Sequence, residues 1–204
     1  MSLSKVYKIE TERLLIRCYE PADAPILLDT ITVSIDHLKP WLPWALKEPT
    51  DIDTKIDILR KFRGQFDLGE DYTYGIFNKT GTELIGSTGL HNRLGPSERE
   101  IGYWISVKHI NNGYALEAVC ALTKVGFEFE NLSRIEIHCA SANVRSQNIP
   151  RKLGYKLEKT LTNSLTSHGD SMVWAMNRTD YDSAAIRTTP LKVYDIIGRE
   201  ITNY

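Results

Sequence analysis

The segment from residue 101 to residue 117 has the residue types of an anion-binding junction. Residues 101–107 are mostly apolar and aromatic, as in a strand, and a helical pattern begins at residue 113. Between them, Asn111, Asn112 and Gly113 tolerate left-handed backbone conformations. Such a junction directs several backbone N–H groups, and the positive end of a helix, at one point. The segment is therefore expected to bind an anionic group such as a phosphate.

Two common phosphate-binding patterns do not describe this turn. No Gly-Lys-Ser/Thr follows it, as a P-loop requires, and its spacing differs from Gly-x-Gly-x-x-Gly. Instead, Gly-Tyr-Trp at 102–104 precedes it and Gly-Tyr-Ala-Leu-Glu-Ala at 113–118 completes it. Three other motifs accompany it: Thr-Glu-Arg-Leu at 11–14, Leu-Lys-Pro-Trp-Leu-Pro-Trp at 38–44, and Asn143 with Ser146 followed by Lys-Leu-Gly-Tyr at 152–155.

In order and spacing these motifs resemble those of the GNAT acetyltransferases, in particular the RimJ/RimL-type N-acetyltransferases, over residues 9–178. The resemblance implies an α+β (mixed α/β) fold, with a central, mostly antiparallel, splayed sheet of about seven strands flanked by about four helices. It also implies an enzyme that moves an acetyl group from acetyl-CoA to a primary amine by direct attack in a ternary complex. The acceptor that it implies first is the N-terminal α-amino group of a ribosomal protein.

Two alternatives to this function stay open. One is acetylation of a small amine, such as a polyamine, an amino acid or an antibiotic. The other is an inactive acyl-CoA-binding regulatory protein, because the first glycine of the family's Gly-x-Gly turn is Asn111 here. Asparagine adopts positive φ with a modest penalty, so the turn is still expected to form. An assay of CoA release across amines and N-terminal peptides separates these possibilities.

The resemblance assigns acetyl-CoA binding to a set of residues around the junction: Ile105, Val107, Lys108, Asn111, Asn112, Gly113, Tyr114, Ala115 and Asn143. It implies that residues 102–107 splay away from the neighbouring strand, 134–139, and leave a slot for the pantetheine arm. Backbone amides near Ile105 and Val107 would bind that arm and polarise the thioester carbonyl.

Glu100, at the start of the central strand, is the first candidate for the general base, acting directly or through water. The alternative is that Glu100 is a solvated residue of the charged run at 98–100. His91 is the second candidate, because histidine titrates near working pH, although a histidine at a strand end is often structural. His138 is interpreted as a core or strand residue.

By resemblance, Ser146 is the candidate acid that protonates the departing thiolate, and Asn143 hydrogen-bonds the cofactor arm. The alternative is that both residues only stabilise the start of a helix. Asn143 is a natural helix N-cap, and Ser146 falls at the third position of that helix. Both roles are compatible, since a capping group can also face the cofactor.

Trp41 and Trp44 lie between two predicted helices, in a stretch that two prolines keep from being helical. Tryptophans in such loops often mark recognition surfaces. We expect this loop to line the acceptor side. The alternative is that one of the two indoles fills the core beneath it.

The elements that position these residues follow from periodicity. Strand patterns cover 14–17, 72–78, 83–90, 99–107, 134–139, 155–161 and 171–176, and helical patterns cover 22–31, 51–68, 113–129 and 143–153. Residues 1–180 are predicted to form a single acetyltransferase domain. Residues 181–204 are an extension, interpreted as an edge strand, a partner-contacting arm or a disordered tail. One role open to it is self-association as a homodimer.

The composition is that of an ordinary globular protein. Of 204 residues, 42% are apolar and 25% charged, and 25 basic residues against 26 acidic ones give a net charge of -1. Nothing global favours nucleic acid or a membrane surface as a partner. The three cysteines show no metal-ligand spacing, so no metal is expected. With no signal-peptide pattern or long apolar run, we expect a cytoplasmic protein.

Overall fold

The computed structural model describes residues 6–164 and 169–202. Within these ranges the strands are β1 Lys8–Glu10, β2 Leu14–Cys18, β3 Tyr72–Asn78, β4 Leu84–His91, β5 Glu98–Ile105, β6 Arg134–Ala140, β7 Lys156–Ser164, β8 Gly169–Asn177 and β9 Lys192–Tyr194. The α-helices there are α1 Ala24–Thr32, α2 Ile35–Leu38, α3 Ile52–Leu68, α4 Tyr114–Glu128, α5 Val144–Leu153 and α6 Arg178–Asp182.

The described strands form one sheet in the order β7-β8-β6-β5-β4-β3-β2-β1-β9. Every neighbouring pair is antiparallel except β5 and β6, which are parallel. This confirms the mixed, mostly antiparallel fold, with two more strands than the seven expected. One added strand, β1, has three residues, which is too short to show an alternating pattern. The other, β9, lies in the extension after residue 180, for which an edge strand was one interpretation.

Helix boundaries follow local signals in the sequence. Asp51 caps α3, because its carboxylate accepts a hydrogen bond from the Thr54 amide at 2.8 Å. Gly69 ends the same helix in the left-handed conformation, with φ 72°. The α-helices beyond the four expected are α2 and α6, which span only one turn or slightly more and carry no periodic signal.

Two apolar clusters hold the helices against the sheet. The larger includes α4, whose Val119, Leu122 and Val125 are fully buried, as its stripe of apolar residues predicts. The smaller includes Leu27 of α1 and Leu59 of α3. The three cysteines are free and buried, and burial raises the pKa of each thiol.

The extension after residue 180 is attached to the sheet. β9 pairs with β1 in antiparallel register, with Ile9 opposite Val193. Val193 is buried, and the Tyr7 amide donates to the Tyr194 carbonyl at 2.9 Å. Of the three interpretations of the extension, the structure therefore supports the edge strand.

The feature that positions the site is an opening between β5 and β6. β5 pairs with β4 over six positions, from Ile105 back to Glu100. It pairs with β6 over three positions only, the last being Glu100 opposite Glu136. β6 then continues beside β8 as far as Ala140. Beyond Glu100 the two central strands therefore separate, as the expected splay requires.

Candidate active site

The predicted anion-binding turn has the backbone that its sequence indicates. Asn111 and Gly113 have φ values of 65° and 79°, and α4 begins directly afterwards at Tyr114. No side chain caps this helix start, so its first-turn amides remain available as donors. Asn112 and Lys108 are exposed beside it, and Tyr114 and Ala115 are partly buried. The turn is therefore a suitable cradle for a pyrophosphate.

The turn is held by a motif from the far end of the chain. Glu117, in the first turns of α4, accepts hydrogen bonds from the Thr11 hydroxyl at 2.6 Å and the Arg13 amide at 2.9 Å. The Arg13 guanidinium donates to the same carboxylate at 2.6 Å and to the Asn112 carbonyl at 2.9 Å. It also lies over the Tyr114 ring, 4.8 Å from the centroid. We call these contacts of Thr11 and Arg13 the loop clamp.

The loop clamp gives a first testable prediction. Arg13→Met keeps an unbranched apolar side chain but removes the guanidinium and its bonds to Glu117 and to the Asn112 carbonyl. The dissociation constant for acetyl-CoA should rise about fivefold, on the order of 1 kcal/mol, because the turn loses its charge-assisted support. Calorimetry measures it. Lys8→Met, which removes the ion pair with Glu10 in β1, is the control. Equal affinities for the two variants would show that the turn needs no guanidinium.

The backbone of β5 presents donors to the opening. The Ser106 amide donates to Ile85 of β4 at 2.8 Å. Because successive residues of a strand direct their N–H groups to opposite sides, the amides of Ile105 and Tyr103 face β6 across the opening. The amide of Val107 instead donates to the Ser34 hydroxyl at 3.1 Å. Of the two amides expected to contact the pantetheine arm, only that of Ile105 is directed into the opening.

The start of α5 borders the same opening. Asn143 caps the helix by accepting a hydrogen bond from the Ser146 amide at 3.1 Å, as the local interpretation predicts. The Ser146 hydroxyl lies 2.9 Å from the Tyr103 hydroxyl, which also donates to the Ser146 carbonyl at 3.0 Å. Burial raises the pKa of Tyr103, so this phenol stays protonated and can donate. Tyr103 thus fixes Ser146 across the opening, a role that its place in the Gly-Tyr-Trp motif did not indicate.

Both candidate bases lie where β5 separates from β6. Glu100 and His91 are directly opposite each other on β5 and β4. The Glu100 carboxylate accepts from Arg93 at 2.8 Å, so it is not merely a solvated charge. The His91 Nδ1 is 2.8 Å from the Asp71 carboxylate. Burial raises the pKa of Asp71, but the bond with His91 and the Asn92 amide outweigh it and hold the pKa below its ordinary value. His91 is therefore anchored by its hydrogen bond with Asp71.

The tryptophan loop reaches this side of the sheet. Trp44 is partly exposed and packs against Trp104, with ring centroids 6.0 Å apart. Trp104 is on β5, four residues from Glu100, so alternation places both on the same side of the strand. Trp41 is partly buried. The loop therefore covers the strand that carries the candidate base.

The described part of the chain also bears on metal binding and on membrane insertion. No group of three or more His, Cys, Asp or Glu side chains is placed there to hold a metal ion. None of the helices within residues 6–164 and 169–202 combines the length and apolarity needed to cross a bilayer.

A splayed sheet with a turn suited to an anion at one end and titratable groups at the other is the arrangement that a coenzyme A-dependent acyltransferase needs. The model of the GNAT acetyltransferase domain matches residues 13–156, and the chain belongs to this family. It is an N-acetyltransferase that uses acetyl-CoA, and the cradle and the β5 amides fit that cosubstrate.

The chain is similar to several named proteins. It is 28% identical over 162 residues to the uncharacterized N-acetyltransferase YoaA of Bacillus subtilis, covering 79% of this chain and 89% of the relative. It is 26% identical over 156 residues to the ribosomal protein uS5-alanine N-acetyltransferase of Escherichia coli, covering 74% and 79%. The solved structure of RimL, a ribosomal L7/L12 α-N-protein acetyltransferase in complex with coenzyme A, has the same fold, with a TM-score of 0.74, 19% identity and coverages of 82% and 95%.

Proposed function

We propose that the acceptor is the α-amino group at the N-terminus of a protein, with ribosomal proteins as the first class to test. The observation that carries this proposal is one face of β5, which carries Glu100 and, four residues further on, Trp104 packed against Trp44. This surface suits an extended chain end better than a compact amine, because the aromatic rings can contact residues that follow the reacting amine. The similarity to an enzyme named for the alanine of ribosomal protein uS5 supports the same class.

In this proposal the protein positions two reactants and moves two protons. Acetyl-CoA supplies the acetyl group as a thioester. Its phosphates are held at residues 111–115, and its pantetheine arm lies along β5. The Ile105 amide binds the arm and helps to polarise the carbonyl. Glu100 serves the amine as the base, directly or through water, and Ser146 donates a proton to the departing sulfur. Much of the acceleration comes from holding both reactants in place.

The deciding experiment measures CoA release with N-terminal peptides of ribosomal proteins, polyamines, free amino acids and aminoglycosides. The expected result is the highest kcat/KM with one or more peptides. Preference for a small amine would replace the protein acceptor by the small-molecule alternative. Acetyl-CoA binding without turnover on any amine would identify a regulatory acyl-CoA-binding protein instead.

Ser146→Ala gives a second prediction. Turnover should fall on the order of 100-fold, because the departing sulfur loses its proton donor, while the dissociation constant for acetyl-CoA changes less than about threefold. Stopped-flow turnover and calorimetry measure the two quantities. Ser183→Ala, at an exposed hydroxyl after α6, is the control. Unchanged turnover would remove Ser146 from the mechanism.

A further inference from the structure

His138 lies between two carboxylates at the point where β5 and β6 separate. Its Nε2 is 2.6 Å from Glu136, and its Nδ1 is 4.0 Å from Glu100. The side chain is 23% exposed. The interpretation of His138 as a core or strand residue rested on a strand presumed to be buried. Beyond Glu136 the edge of β6 toward β5 is unpaired, so this partly exposed histidine borders the opening.

The surrounding charges give each carboxylate one arginine partner. Arg134 donates to Glu136 at 2.7 Å and also pairs with Glu158, and Arg93 donates to Glu100. Burial raises the pKa of Glu136, but His138 and Arg134 outweigh it and hold the pKa below its ordinary value. Glu136 is therefore ionised and holds Nε2 of His138, so that Nδ1 is the ring nitrogen on the side of Glu100.

The spacing of these groups suits a bound amine. A distance of 4.0 Å between Nδ1 and the Glu100 oxygen is too long for a direct hydrogen bond, but a single nitrogen can contact both. Glu100 and Glu136 form the last pair of the β5–β6 ladder, so this position is at the closed end of the opening. An arm that runs from the cradle along β5 presents its acetyl group toward the same end.

We propose that His138, held by Glu136, is the proton acceptor that completes the base of this enzyme. This inference rests on the proposed function. The acceptor ammonium is held by Glu100, and one N–H bond breaks as its proton passes from the nitrogen directly to Nδ1 of His138. The freed electron pair forms the C–N bond while the C–S bond breaks. The nitrogen then loses a second proton, which replaces the proton that Ser146 gives to the sulfur. His138 returns its own proton to water. Glu136 stabilises the imidazolium in between.

The test compares His138→Gln with wild type on two acceptors: a peptide amine, which is protonated at the assay pH, and an aromatic amine, which is neutral there. With the peptide, kcat should fall at least tenfold. With the neutral amine the deficit should shrink to less than about threefold, because no ammonium proton has to be removed. The Michaelis constant for acetyl-CoA should stay unchanged. Added imidazole should partly restore His138→Ala.

Glu158→Gln is the matched control, since it removes a partner of Arg134 without touching His138. It should retain wild-type kcat with both amines. If His138→Gln lowered kcat equally with both amines, or with neither, the role of His138 would be overturned. The proposed function would stand in that case, because the wild-type enzyme is active. A wild-type protein that acetylates no amine would overturn the proposed function and the role of His138 with it.

Discussion

Gly113→Ala is expected to raise the dissociation constant for acetyl-CoA at least tenfold. Gly113 has φ 79°, a conformation that costs a residue with a Cβ about 1–2 kcal/mol, and tenfold corresponds to about 1.4 kcal/mol. The added Cβ would also lie 3.4 Å from the Arg13 guanidinium, which supports the Asn112 carbonyl. The strain therefore falls on the turn that has to cradle the phosphates. Calorimetric titration with acetyl-CoA measures the effect.

Gly198→Ala is the matched control for this prediction. Gly198 also has a left-handed backbone, with φ 82°, and a Cβ there would meet no atom within 4 Å. It should lower the thermal midpoint by an amount similar to Gly113→Ala but leave acetyl-CoA affinity unchanged. If both variants bound acetyl-CoA like wild type, the turn at 111–113 would not be the phosphate cradle.

Glu48→Ala is expected to lower the free energy of unfolding by about 3–5 kcal/mol, the largest effect on stability among these variants. Glu48 forms an ion pair with Lys55 of α3, and their side chains are 6% and 1% exposed. The other carboxylate oxygen accepts from the Thr50 amide at 2.9 Å. Removing the carboxylate leaves the Lys55 ammonium buried without its anion. Chemical denaturation followed by circular dichroism measures the change.

Two companions sharpen the test of this pair. Asp57→Ala removes an ion pair with Arg60, in which the side chain of Asp57 is 77% exposed and that of Arg60 is 69% exposed. The free energy of unfolding should hardly change. The double variant Glu48→Leu with Lys55→Met replaces both charges by apolar groups and should recover most of the lost stability. If Glu48→Ala were as mild as Asp57→Ala, the buried pair would not anchor the segment that follows the tryptophan loop.

Features set by neighbours in sequence could be predicted. The turn at 111–113 and the start of α4 depend on residue types within a few positions, and asparagine at 111 adopts the positive φ expected of it. The same holds for Asp51 and Gly69 at the ends of α3. The limits of the strands predicted from the sequence agree with the observed ones to within three residues, because turn residues separate one run of strand-forming residues from the next.

Features made by distant contacts could not be predicted. The bond between the Thr11 hydroxyl and Glu117 joins residues 106 positions apart, and no local pattern indicates such a partner. Tyr103 reaches Ser146 only because β5 and α5 border one opening. The pair of Glu136 and His138 did leave a signal, since residues two apart on a strand share a face. The sequence alone does not show that β5 and β6 separate beside this pair, so the pair could not be linked to the site.

The docking of β9 has a consequence for how the molecule behaves in concentrated solution. A strand at a sheet edge offers unpaired backbone groups to other chains, and short edges that carry lysine are poor templates for such pairing. β9 has three residues and begins with Lys192, whose side chain is 61% exposed. It covers β1, whose Ile9 is wholly buried in the apolar core. A chain that ends at residue 180 would leave β1 as an unprotected edge strand. A larger apparent size of that shortened chain in solution would then indicate aggregation through β1.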